Sequence, residues 1–228
     1  MESFAIHIGG FALTEPITAV SDFLLTLLCL AICRKLQPFR KQEPAAAFWQ
    51  YFFIGMGLSV LTGVVVHGFR QYQSEAEHYN TWMGMNVITG CSVYFAQIAT
   101  ALSVLKGGKG EKRMRTLATV QFVVYLACIS LFHSFNAVKI QIAAGMIPVM
   151  VLNIIDSRKG AKGGAWLATG IGLSFFSAVC HTLKFSISER WFNYNDISHL
   201  FIASSFIGIY IGIRTRLTAG RDIISRPN

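Results

Sequence analysis

Five side chains in this sequence have the type and position to do chemistry within an apolar chain: Asp22, His67, His181, Asp196 and His199. Ionisable groups at membrane depth are costly and mark binding sites, proton relays or catalytic centres. Asp196 and His199 are three residues apart, a spacing that puts both on one helix face. A carboxylate and an imidazole so placed can ligate one metal, or the carboxylate can orient the imidazole through its second nitrogen. Three histidines with one or two carboxylates suit Zn²⁺ or another borderline divalent metal. His67, His181, His199 and Asp196 would be the ligands, leaving an open position for a water acidified to a pKa of about 7. Asp22 or Asp196 would then serve as general base. Trp82, Asn86, Asn195 and Ser59 are expected around the substrate or behind the ligands.

Each of these residues also has a plainer role. Aspartate is a favoured helix N-cap, which would account for Asp196. His67 and His181 near helix ends can sit at a membrane interface as amphipathic groups. Ser59 can bond a helix backbone. Asp22 is different, because it lies inside an apolar run where no cap or boundary explains it. The remaining histidines, His7, His78 and His133, read as surface groups.

The elements that must position these groups follow from hydropathy. The chain has 228 residues, is 53% hydrophobic and 14% charged, and has a mean hydropathy of +0.49. A soluble domain carries about 25% charged residues. Runs of about 20 apolar residues, enough to span a bilayer, are expected at 16–36, 46–69, 83–105, 115–133, 138–155, 164–184 and 197–215. The fold class is therefore all-α, an integral membrane bundle of seven transmembrane helices. One membrane domain occupies 1–216, and a basic cytoplasmic tail occupies 217–228. No cleavable signal peptide is expected, because the first span is followed, not preceded, by basic residues. The five cysteines all fall within spans, with no spacing that suggests a disulfide.

The net charge of +9 is of the sign that nucleic acid attracts, but its distribution argues against that partner. Lysines and arginines cluster after the first, third, fifth and seventh spans. Only Arg70, Lys139, Lys184 and Arg190 of the 20 fall elsewhere. This positive-inside pattern predicts an N-out, C-in orientation, with anionic membrane lipids as the partners of the basic loops. All six histidines then belong to the non-cytoplasmic side.

A faint repeat runs at an offset of 115 residues. Gly55-x-Gly57-Leu58-Ser59 recurs as Gly170-x-Gly172-Leu173-Ser174, and Tyr79-Asn80 as Tyr194-Asn195. His67 and His181 follow the two glycine motifs, slipped by one residue. The implied plan is two parallel three-helix units, spans 1–3 and 5–7, joined by span 4. Binding sites of such proteins lie between the repeats.

Seven N-out spans, His67 late in the second and His199-Leu200 early in the last resemble the CREST superfamily. That group contains alkaline-ceramidase- and adiponectin-receptor-like zinc-dependent membrane hydrolases. The resemblance implies hydrolysis of a lipid amide or ester by a zinc-activated water near the non-cytoplasmic face. This chain departs from the family's pattern: Gly63 stands at the serine of its Ser-x-x-x-His motif, and Asn195 at the first histidine of its final pair. Asn86 is the nearest polar residue to the expected span-three acid, and His181 has no counterpart. A second plan, parallel three-helix units about a linker, looks like the SWEET sugar transporters. It implies a small-solute transporter or receptor in which Asp22 and the histidines bind substrate or protons. The Pro-Gln motif of those transporters is absent. A single haem on the histidine side is a third possibility. A retinal protein is disfavoured, because no lysine lies within the last span.

Overall fold

A computed structural model describes residues 5–224. The chain begins with a β-hairpin, β1 (Ala5–Ile8) paired antiparallel to β2 (Phe11–Thr14). Seven helices follow: α1 (Pro16–Leu36), α2 (Pro44–Gly68), α3 (Glu75–Val104), α4 (Lys109–Phe132), α5 (Phe135–Arg158), α6 (Gly164–Thr182) and α7 (Tyr194–Ile224). Helix accounts for 82% of the structure. All seven helices are long and apolar enough to cross a membrane.

The helix starts carry local chemistry. Pro16 and Pro44 open α1 and α2, where a fixed φ helps and the missing N–H is no loss. The α3 start is a capping box: Ser74 Oγ accepts from the Glu77 N–H, while Glu77 accepts from the Ser74 N–H. That box begins α3 eight residues before the hydropathy signal at 83 and shortens the expected loop. Pro148 lies inside α5 without breaking it. The segment from 217, expected as a solvated tail, continues α7 to Ile224. Leu217 lies one turn beyond Ile213 on the same face and is buried with it in the core.

Six of the helices form a ring. α1 packs on α2, α2 on α3, α3 on α5, α5 on α6, α6 on α7 and α7 back on α1, while α4 rests on α3 and α5. Only 17% of the most apolar window of α4 is buried in the bundle, against 33–50% for the others. Glycines set two close seams. A Cβ on Gly55 would overlap Ser92 of α3, and one on Gly170 would lie 2.7 Å from the Ile209 amide of α7. These seams are the α2–α3 and α6–α7 contacts.

The ring is chemically asymmetric along its length. All six histidines lie towards one end, here called the histidine end, together with the hairpin. The main apolar core fills the half nearer the basic loops. It is built from Leu36, Phe53, Val149, Leu167, Ile171, Ile209 and Ile213, and no buried residue of α4 joins it. Phe52, Phe53 and Phe206 meet there edge-to-face, with centroids 5.0–6.2 Å apart. This packing closes the ring towards the basic end.

Candidate functional site

α1 supplies most of the polar face at the histidine end. Thr18, Ser21 and Asp22 recur at helical spacing and point at α7 and α2. Asp22 is 2% exposed. Its Oδ1 lies 3.4 Å from His199 Nε2, and its Oδ2 is buried with no hydrogen-bond partner among the described residues. Position 63 of α2 makes room for this carboxylate: a Cβ there would lie 2.7 Å from Asp22 Oδ2. Gly63 thus stands where the resemblance expects a serine, and an acid from α1 lies over it.

The other ring nitrogen of His199, Nδ1, lies 2.7 Å from Ser21 Oγ, and Ser21 Oγ also reaches the Thr18 carbonyl at 2.9 Å. A neutral imidazole carries one N–H. Two protonation arrangements are compatible with this geometry. In one, Nε2–H faces an ionised Asp22 across 3.4 Å and Nδ1 accepts from Ser21, whose proton is then turned away from the Thr18 carbonyl. In the other, a protonated Asp22 faces Nε2, Nδ1–H donates to Ser21, and Ser21 donates to the Thr18 carbonyl. The second holds one proton more than the first. To pass between them, the Asp22 proton moves to Nε2, the Nδ1 proton moves to Ser21, and the former Ser21 proton leaves. Asp22, His199 and Ser21 therefore form a three-member relay that can take up or release one proton at the Ser21 end.

A second acid–imidazole pair lies nearer the end of the ring. His67 Nδ1 is 3.0 Å from Glu15 Oε2, and the same oxygen accepts from Asn195 Nδ2 at 3.4 Å. Thr14 Oγ1 donates to the His67 carbonyl. These bonds tie the hairpin exit to α2 and α7. The His67 hydrogen bond holds the Glu15 carboxyl below its ordinary range, against the opposing effect of burial. His67 also lies within electrostatic reach of Asp22 and Asp196.

Asp196 is committed on both oxygens. Oδ1 accepts from Thr18 Oγ1 at 2.8 Å, and Oδ2 accepts from the Asn193 N–H at 2.8 Å. Asn193 in turn accepts from the Asn195 and Asp196 amides. Asp196 is therefore the third residue of a capping box and a tether from α7 to α1, rather than the N-cap itself.

The expected zinc set is not brought together. His67 pairs with Glu15, His199 bridges Asp22 and Ser21, and Asp196 is used in capping. His181 packs against the rings of Phe135 and Tyr194, at centroid distances of 5.9 and 5.2 Å. No three histidine, cysteine, aspartate or glutamate side chains converge to hold a metal among the described residues. His67 Nδ1 and both nitrogens of His199 face separate partners, and His181 lies among aromatic rings, so these donors do not fit a shared ion. The residues expected around the substrate also divide. Asn195 joins the network. Ser59 Oγ instead bonds Thr89 Oγ1 at 2.7 Å and the Met85 carbonyl at 3.2 Å, closing the α2–α3 seam. Trp82 packs with Tyr79 and Phe135 in a separate cluster at α3, α4 and α5. Asn86 is buried, and its carbonyl accepts from Tyr125 Oη at 2.7 Å.

Glu15, Thr18 and Ser21 were missed from the sequence. Their signal was the i, i+3, i+4 spacing of Thr18, Ser21 and Asp22, and an acid directly before Pro16.

A family model described as "Family of unknown function (DUF6962)" matches residues 17–218. No curated protein and no solved structure matches the chain. None of these comparisons bears on the resemblance to ceramidase- and adiponectin-receptor-like proteins.

Proposed function

The chain belongs to the family of unknown function DUF6962, and since membership carries no activity, we propose from the site that it is a proton-coupled small-solute transporter or receptor. The observation that carries this reading is the buried relay of Asp22, His199 and Ser21. A buried carboxylate with a free oxygen, backed by an imidazole that can shift its proton to a hydroxyl, is suited to loading and unloading a proton. The aromatic closure at the other half of the ring supports the same reading, since a coupled protein must not leak. The two halves of the ring, α1–α3 and α5–α7, fit the parallel-repeat plan with α4 as linker. With the N-terminus outside, the relay would open to the non-cytoplasmic side.

The test is infrared titration of purified protein in lipid. A protonated-carboxyl band should grow as pH falls and should be lost in Asp22→Asn. A titrating band untouched by Asp22→Asn ends the proposal.

One observation favours hydrolysis of a lipid amide or ester instead. Ser21 Oγ is hydrogen-bonded to an imidazole whose second nitrogen faces a carboxylate, the geometry that activates a nucleophile. In that reading Ser21 Oγ adds to the carbonyl, its proton passes to Nδ1 and then to the leaving group, and water releases the acyl group. A fluorophosphonate probe decides between the two. Labelling of Ser21, lost in His199→Gln, would establish the hydrolase, and an unlabelled Ser21 would dismiss it.

A further inference from the structure

Three glutamines from α3, α4 and α5 take no part in the proton network. Gln97 Nε2 donates to Gln121 Oε1 at 3.0 Å. Gln121 Nε2 donates to Gln141 Oε1 at 3.0 Å and to the Gln141 main-chain carbonyl at 3.3 Å. A main-chain carbonyl only accepts, so the Gln121 group facing it is the amide nitrogen. That orientation fixes the others: Gln141 presents its oxygen to Gln121, and Gln97 presents its nitrogen. One donor, Gln141 Nε2, and one acceptor, Gln97 Oε1, remain buried without partners among the described residues. Unpaired amides are costly where no water reaches them.

Gln121 and Gln141 stand in the wall of a cavity of about 430 Å³ between α4 and α5. Val124, Tyr125, Cys128, Phe132, Ala137 and Ile140 line much of the rest, and none of its lining residues is charged. Val124, Phe132 and Ile140 are also exposed on the outer surface of the bundle. The slot therefore opens sideways, towards lipid, and not into the ring.

We propose that this slot binds a neutral amphiphile drawn from the bilayer. The Gln141 amide, enclosed at the slot wall in the free protein, turns into the slot to donate to the ligand's carbonyl oxygen, and the hydrocarbon lies along α4 and α5. The uncharged wall excludes an ionised headgroup, and the volume falls within the roughly 300–1,000 Å³ of small-molecule sites. The unmatched donor selects a carbonyl compound over a plain hydrocarbon. The slot lies apart from the Asp22 relay, and the two assignments stand or fall separately.

Photolabelling of the purified protein tests this, with a diazirine-bearing fatty acid methyl ester as probe. The matching diazirine alkane and free fatty acid serve as comparisons. The ester should label α4 and α5 around the slot, compete with unlabelled methyl ester, and exceed both comparison probes. Gln141→Leu should lower ester labelling roughly tenfold, as expected for loss of one buried hydrogen bond, and leave alkane labelling unchanged. Ala144→Phe, which fills the slot, should abolish the site-specific label and carries the test if Gln141→Leu does not fold. The proposal is overturned if ester and alkane label alike, if the free acid labels as well as the ester, or if the folded variants label like wild type.

Discussion

Asp22 and Gly63 are a matched pair. The carboxylate occupies the volume that any side chain at 63 would need. Gly63→Ala should therefore destabilise the protein by about 1–3 kcal/mol, the usual cost of overpacking. Thermal unfolding in detergent measures this. If the cause is the carboxylate, Asp22→Ala should relieve it, and the double variant should be more stable than the sum of the single losses predicts. Strict additivity would detach Gly63 from the site. The same pairing explains how an acid can be kept in an apolar helix: α2 comes close enough to exclude lipid, and α7 supplies the imidazole. Asp196 illustrates the opposite case. It is as chemically capable as Asp22, but both of its oxygens are already bonded to Thr18 and Asn193.

At the scale of elements, the hairpin covers the histidine end. Tyr72 Oη accepts from the Ala12 N–H at 2.8 Å, Gln71 donates to the Ala12 carbonyl, and Thr14 and Glu15 hold the end of α2. Glu15 is the ionisable part of this attachment. It faces His67 and Asn195. Its folded-state pKa lies below the ordinary 4.5. Ionised Glu15 therefore contributes stability that is fully present above about 4.5 and is lost as pH falls through the lower folded value. The protection of amides 5–14, with exchange corrected for its intrinsic pH dependence, should fall on acidification through that window in wild type. In Glu15→Gln protection should already be lower at neutral pH and change less with pH. An acid response identical in the two proteins would show that Glu15 does not control the hairpin.

At the scale of the whole molecule, the division into a polar histidine end and an apolar basic half matters most. The basic loops flank the closed half, so the positive-inside bias would put the relay on the non-cytoplasmic side. Cysteine labelling in intact cells or spheroplasts tests this orientation. With a membrane-impermeant maleimide, Ala76→Cys should react from outside, and Lys109→Cys should react only after permeabilisation. The reverse pattern would turn the relay towards the cytoplasm. The ring also explains why α4 could be read as a linker. It joins the two halves yet contributes no buried residue to the main core, and its contacts with α3 and α5 leave the lateral slot.

The sequence by itself determined the number of helices, their approximate spans and the gathering of histidines at one end. Hydropathy and charge are summed over many residues, so single errors do not move them. Helix ends were less legible: hydropathy placed the third span at 83, while the Ser74–Glu77 capping box starts α3 at Glu75. The partners of His67, His181 and His199 were decided only by tertiary structure. A neutral imidazole goes to whichever acid or hydroxyl the packing brings within about 3 Å, and helix rotation and close approach at Gly63 set that. Those same rotations turned Ser59 to the α2–α3 seam and Trp82 to a separate cluster. They brought Glu15, Ser21 and the three glutamines, individually unremarked in the sequence, into contact with partners far along the chain.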